Sequence, residues 1–138
     1  MYLVDTNVLS EVRKKSNANT GVKQFFKTAI KDDRSLYLSV VTVGELRRGV
    51  ELIRHRGDTK QTNQLEKWLN VILDEYEDNI LEIDQEIAQL WGKLRSPHHE
   101  HALDKQIAAT ALIHGLTVVT RNEKDFIRTG VNVLNPFE

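Results

Sequence analysis

Tyr2-Leu3-Val4-Asp5-Thr6-Asn7 opens the chain with three strand-forming residues, a carboxylate and two small polar residues, and a helical pattern begins at Val8. A short apolar run closed by a turn reads as a buried strand. Asp5 therefore stands where a central strand ends and the chain turns into a helix. In open α/β sheets that edge is where ligands bind. The plainer reading of a single Asp at such a turn is a helix N-cap. The rest of the chain has to choose between the two.

A chain of 138 residues is most simply one domain, residues 1–138, able to bury roughly two-thirds of its unfolded surface. It contains no Cys, which excludes disulfides and thiolate chemistry and suits a reducing cytosol, so a cytoplasmic setting is expected. No apolar stretch approaches the ~20 residues of a membrane span, and no signal-peptide pattern precedes Asp5. A net charge of −1 provides no global field for nucleic acid, so any RNA or DNA contact must come from a local patch.

Beyond Asp5, Val8 to Lys15 reads as a short helix whose closing Arg13-Lys14-Lys15 complements the negative end of the helix dipole. Thr20 is placed to cap the next helix, with Val22, Phe25, Phe26, Ala29 and Ile30 as its core face. Ser35 to Ser39 is the second strand. Val40-Val41-Thr42 leads into a helix carrying Val43, Leu46, Val50 and Ile53 on its apolar stripe. Glu45 is expected in the first turn of that helix. It reads either as an acid on the dipole or as a second carboxylate beside Asp5. Gly49 leaves bare ground next to it. Arg47, Arg48, Arg54, His55, Arg56 and Lys60 make this the most basic region of the chain.

Gly57-Asp58 breaks the pattern, and Thr59 to Glu77 forms an amphipathic helix with Leu65, Trp68, Leu69, Ile72, Leu73 and Tyr76 on one stripe. Trp68 and Tyr76 fit packing or a subunit interface better than base stacking. Ile80 to Ile83 is a weak strand. Asp84 caps a helix with Ile87, Leu90, Trp91 and Leu94 inward. His98, His99 and His101 invite a zinc reading, but their spacing matches no zinc motif, and the stretch reads as a solvated loop. Asp104 to His114 is a helix closed by Gly115. Its apolar face of Ile107, Ala108, Ala111 and Leu112 suits close packing on a sheet. Asp104 shares that face, which is unusual for a mere cap. Leu116 to Thr120 and Val131 to Leu134 are the last strands, with polar, acidic Arg121 to Asp125 between them.

Asp5, Glu45, Asp104 and the pair Asn122/Asp125 all fall at strand ends or helix starts, which share one edge of a parallel sheet. Gathered acids repel one another and raise their own pKa values unless a cation occupies the cup. All-oxygen ligands without His or Cys suit a hard divalent ion, Mg²⁺ or Mn²⁺. Such an ion points to phosphoryl or phosphodiester chemistry. There is no Gly-rich phosphate loop and no supported Ser-His-Asp pattern.

Val4-Asp5-Thr6-Asn7-Val8-Leu9-Ser10-Glu11 resembles the opening of PIN-domain nucleases. Ser39-Val40-Val41-Thr42-Val43-Gly44-Glu45-Leu46-Arg47-Arg48-Gly49 resembles their second acidic motif, Asp104 to Ala111 the third, and Val119-Thr120-Arg121-Asn122 with Asp125-Phe126 the fourth. The closing Asn135-Pro136-Phe137 also fits. The likeness spans the chain and is nearest to VapC-type toxins of the FitB-like branch. It implies a parallel five-stranded sheet between helices and a Mg²⁺-dependent endoribonuclease, with tRNA or rRNA as candidate substrates. It also implies a homodimer and a small antitoxin that covers the site. Many relatives carry Asp where Asn122 stands, so either three acids suffice or Asp125 supplies the fourth charge.

On this reading Asp5, Glu45 and Asp104 hold the metal, with Asn122 and Asp125 completing the catalytic set. Thr6, Asn7, Ser39, Thr120 and Arg121 contact phosphate or tune the metal's surroundings. A carboxylate cup also attracts a guanidinium, so the antitoxin is expected to place an Arg among the acids, in a complex of toxin dimer or larger. Competing readings are a PIN-like nuclease outside a toxin–antitoxin pair, a haloacid-dehalogenase-like phosphatase, and a non-catalytic receiver module. The phosphatase requires a second Asp where Asn7 stands.

Overall fold

The computed structural model describes residues 1–138. Its five parallel strands are β1 (Tyr2–Val4), β2 (Leu36–Ser39), β3 (Ile80–Leu81), β4 (Thr117–Val119) and β5 (Val133–Leu134), in the order β3-β2-β1-β4-β5. Six α-helices cover the sheet: α1 (Thr6–Val12), α2 (Thr20–Lys31), α3 (Val40–His55), α4 (Thr59–Glu75), α5 (Gln85–Leu94) and α6 (Ala102–His114). This is the α/β/α sandwich expected of the sequence.

The order of strands follows from burial. Side chains of successive strand residues point to opposite faces. Val4, Leu38 and Val119 pack with Val8, Leu46, Val50, Leu65 and Leu69 in one core. Leu3 and Val118 pack with Ile107, Ala108, Ala111 and Phe126 in the other. Both faces of the central strands are therefore apolar, as a doubly covered parallel sheet requires. Burying one such side chain contributes about 1.5–3 kcal/mol, so β1 is anchored from both sides. The small side chains of α6 let its backbone lie close to the sheet.

From β1 the chain steps outward to β2 and β3, then returns through α5 and α6 to place β4 on the other side of β1. The crevice where the order reverses, between the C-terminal ends of β1 and β4, is where ligands bind in sheets of this kind. Asp5 follows β1 and Thr120 follows β4, so both open onto that crevice.

Several boundaries differ from the sequence-based expectation. Helix α1 starts at Thr6 rather than Val8 because Asp5 caps it at once, and it ends at Val12. Arg13-Lys14-Lys15 therefore lie past the helix. The Lys14 ammonium sits 2.9 Å from Glu11 Oε1, and the Arg13 guanidinium lies 5.8 Å from the centre of the Trp68 ring. Asn19, not Thr20, caps α2, with its Oδ1 accepting from the N–H groups of Gly21 and Val22. Ile30 is 78% exposed and leaves the α2 core face to Val22 and Ala29, with Phe25 and Phe26 half-buried. Helix α3 begins at Val40 with Ser39 as N-cap, which moves Glu45 out of the first turn. Helix α4 stops at Glu75, and β3 keeps only Ile80 and Leu81.

Two glycines are required by their places. Gly115 closes α6 at φ +67°, the left-handed region that side chains with a Cβ resist. At Gly21 an added Cβ would stand 2.1 Å from the carbonyl oxygen of Pro136. The chain's last residues dock on the start of α2 only because that space is free. No helix is long and apolar enough to cross a membrane.

Candidate active site

Asp5 is both an N-cap and the floor of the site. It is only 4% exposed. Its Oδ1 accepts the Thr6 N–H at 2.8 Å, and its Oδ2 accepts the Thr120 hydroxyl at 2.8 Å and the Asn7 amide at 3.3 Å. Burial raises its carboxyl pKa, the Thr120 and Thr6 hydrogen bonds pull it down, and the Asp125 charge raises it again. The net direction is upward.

The residues around Asp5 join the two strand ends. The Thr6 hydroxyl donates to Glu45 Oε1 at 2.9 Å, tying α1 to α3. Asn7 reaches across to β4: its amide donates to the Thr120 hydroxyl oxygen at 3.2 Å, and its Oδ1 accepts the Arg121 N–H at 3.1 Å. Thr120 also accepts the Asn122 N–H at 3.0 Å. Thr120 is fully buried, so its single hydroxyl fixes Asp5, Asn7 and the turn after β4 at once.

Glu45 is half-buried, and its pKa is raised by burial and by the Asp5 charge, with the Thr6 hydrogen bond opposing. Asp104 lies in the first turn of α6, as the sequence pattern requires. Burial, then the charges of Asp5, Asp125 and Glu45, push its carboxyl up to about 7. No hydrogen bond offsets that burial, and only the neighbouring His101 eases it. Asp104 thus feels the charges of Asp5, Asp125 and Glu45 together.

The fourth motif resolves into two different residues. Asp125, on the short turn Glu123–Asp125, is half-buried and acts electrostatically on both Asp5 and Asp104. Asn122 is exposed, and its side chain makes no hydrogen bond. Asp125 supplies the fourth negative charge of the cluster.

Among the residues assigned to phosphate, Thr6 and Asn7 border the acids and Arg121 is exposed beside them, its guanidinium 4.7 Å from the centre of the Phe137 ring. Ser39 is different. It is fully buried, and its Oγ accepts the Val41 N–H at 3.0 Å as the cap of α3. Its role in this structure is to start the helix that carries Glu45. The basic stretch of α3 is partly consumed as well: Arg47 and Arg54 each reach Glu66 on α4 at 2.9 Å, and both contact Glu51.

Its spacing places His101 in a solvated loop. The loop is exposed, yet His101 Nδ1 lies 3.7 Å from Asp125 Oδ1. Ligand atoms of His101, Asp104 and Asp125 all fall within 4.8 Å of one another. A His one turn before an inward-facing Asp was the signal available in the sequence, and its meaning depended on where β4 and its following turn would lie.

The donor set fits a divalent cation. Burial and mutual repulsion raise the pKa values of Asp5, Glu45 and Asp104, and a bound cation relieves both. A phosphatase of the haloacid-dehalogenase kind has no support here. Asn7, in the place of its second acid, is neutral and bonded to Asp5, Thr120 and Arg121.

Comparison with known proteins agrees with the geometry. The PIN domain profile matches residues 2–132. The chain is 38% identical to Toxin FitB of Neisseria gonorrhoeae over 143 residues, covering 99% of each chain. It is 30% identical to VapC ribonuclease Y4jK of Sinorhizobium fredii over 144 residues, covering 100% of this chain and 99% of the other. Among solved structures, FitAcB from Neisseria gonorrhoeae superposes with a TM-score of 0.84 at 38% identity, covering 99% of this chain and 98% of that one. The structure of FitAB bound to an IR36 DNA fragment superposes with a TM-score of 0.85 at 35% identity, covering 100% and 96%. With its four acids at the switch point of a five-stranded parallel sheet, the chain belongs to the PIN-domain family, in the branch of FitB- and VapC-type toxins.

Proposed function

We propose that this toxin is a Mg²⁺-dependent endoribonuclease, with Mn²⁺ as a substitute, and that its 138 residues work as one PIN domain. The observation that carries the reading is the convergence of Asp5, Glu45, Asp104 and Asp125 at one crevice, with three of their pKa values raised. Asp5, Glu45 and Asp104 would hold the ion, with Asp125 beside them. When bound, the ion supplies Lewis acidity at a phosphate oxygen and makes a water more acidic.

The chain's own residues do the positioning. Thr6 N–H and the Thr120 hydroxyl hold the Asp5 carboxylate in one orientation. The Thr6 hydroxyl does the same for Glu45. Asn7 locks the turn after β1 to the turn after β4, so the acids on both sides keep their spacing. Thr6, Asn7 and Arg121 border the path of the RNA backbone, where a guanidinium favours phosphate. Candidate substrates are tRNA and rRNA.

A free ribonuclease endangers its own cell, so a small VapB/FitA-like antitoxin is its partner. Its Arg enters the cup among Asp5, Glu45 and Asp104, where a bidentate pair with carboxylate is favourable. Its apolar residues settle on the surface beside Glu45, where Gly49, Ile53, Leu65 and Trp68 line a cavity of about 210 Å³. The toxin pairs with itself as a homodimer, or within a larger toxin–antitoxin assembly.

The test is cleavage of total RNA by purified protein with Mg²⁺, with EDTA, and after Asp5→Asn, alongside growth on expression. Cleavage lost with EDTA and with Asp5→Asn, together with growth arrest relieved by the small partner, is the expected result. Cleavage in excess EDTA overturns the metal reading. Cleavage without growth arrest leaves a PIN nuclease outside a toxin–antitoxin pair.

A further inference from the structure

Asp125 faces a cavity of about 480 Å³ that His98, His101 and Lys105 also line. Lys105 is the obvious counter-cation for the acids, but it is spent elsewhere: it is buried, and its Nζ donates to the His98 carbonyl. The loop it holds is fixed at two further points, by Arg95 Nε to the His99 carbonyl at 3.4 Å and by Trp91 Nε1 to the Ala102 carbonyl at 3.0 Å. The result is a tethered segment that presents His101 to the acids, with its side chain half exposed.

His101 meets two acids that come from different elements. Asp104 is on α6, and Asp125 is on the turn after β4. One ligand atom from each of the three lies within 4.8 Å of the others, a spread that a single ion with bonds of about 2.0–2.2 Å can bring together with small side-chain rotations. We infer that His101 is a metal ligand of this toxin, supplying an imidazole nitrogen beside Asp104 and Asp125. The metal centre is thereby a mixed nitrogen–oxygen site rather than a pure carboxylate cup. This rests on the reading that the cup holds a divalent ion.

The chemical consequence is selectivity. Mg²⁺ is hard and takes oxygen, whereas later divalent ions accept imidazole readily. An imidazole in the set raises affinity for Mn²⁺ and for the ions beyond it in the series relative to Mg²⁺. It does not alter the role of Asp5 or Glu45.

The experiment uses full-length protein with Mn²⁺ alone, then Mg²⁺ as competitor, with electron spin-echo spectroscopy as the readout. His101→Asn is the variant of choice, because His101 sits at φ +56° and Asn tolerates that conformation better than Ala. His98→Asn is the neighbouring-histidine control. The expected result is nitrogen modulation on bound Mn²⁺ in wild type and in His98→Asn, lost in His101→Asn. Mn²⁺ affinity should fall about tenfold or more in His101→Asn, on the scale known for lost support of a metal site. Mg²⁺ affinity should change by less than about twofold, because Mg²⁺ prefers oxygen donors. Bound Mn²⁺ without nitrogen modulation in wild type, or modulation that persists in His101→Asn, overturns the assignment while leaving the carboxylate cup intact. No Mn²⁺ binding by wild type at all overturns the cup itself.

Discussion

In ion-free protein, Asp104→Asn should stabilise the fold at neutral to basic pH while it removes RNA cleavage. The wild-type carboxyl titrates at about 7 rather than at its ordinary 3.8. That is about three decades of proton affinity at about 1.36 kcal/mol each, a ceiling of about 4 kcal/mol. Asp104 is only half-buried, so solvent screening reduces the effect to about 2 kcal/mol. The sign follows from linkage. A carboxyl raised on folding binds its proton more tightly in the folded state, so its cost is absent below 3.8, grows between 3.8 and about 7, and is complete above. Asn carries no such cost. Urea unfolding in EDTA at about pH 8 should show the variant more stable by about 2 kcal/mol, with the gain falling to under half of that at about pH 5. In melting temperature the gain at basic pH is roughly 5–8 °C for a chain of this size. Mg²⁺ should then stabilise wild type and leave the variant unmoved, since only a ligand bound to the folded state shifts the equilibrium. A variant no more stable than wild type at basic pH, or a gain equal at both pH values, would refute the view that crowded acids load this site with strain.

Three other outcomes follow from named contacts. Thr120→Val removes the hydroxyl that donates to Asp5; it should cost about 1–3 kcal/mol in denaturant unfolding and shift the rise of activity with pH to higher pH, and an unchanged pH profile would count against Thr120 as the partner that holds Asp5. Asp125→Asn should cut single-turnover cleavage by about tenfold or more, in the manner of a lost support for a metal site, while Asn122→Ala retains most of it; the opposite ranking would return the fourth position to Asn122. Arg121→Ala should weaken RNA binding and lower the salt slope of log affinity by about one, as read by fluorescence titration over a salt series, and identical slopes would take Arg121 out of the RNA path.

Much of this was legible in the chain. Val4-Asp5-Thr6-Asn7 announces a strand that ends in a carboxylate, because a short apolar run cannot stay in solvent and a small polar pair cannot continue it. The inward-facing Asp104 was visible from helical spacing alone, since Ile107 and Ala108 set the buried face of α6. Where local rules compete, boundaries moved. Asn19 outcompetes Thr20 as a cap because its side-chain oxygen reaches both Gly21 and Val22. Ile30 lies outside the core although its spacing is helical, with 78% of its surface exposed. Ser39 illustrates the same limit: its place next to the second motif suggested phosphate, but a helix that starts one residue later takes its hydroxyl as a cap.

The remaining features depend on which strand lies beside which, and periodicity carries no information about that. Placing β4 against β1 brings Thr120 to Asp5 across a separation of 115 residues and puts Asp125 rather than Asn122 among the acids. It also turns His101 from a loop histidine into a neighbour of Asp104 and Asp125. Hydrophobic pattern determines which face of each element is buried, because burial acts on one residue at a time. The composition of the site comes from the strand order, because a cluster of charges exists only once separate segments have been packed together.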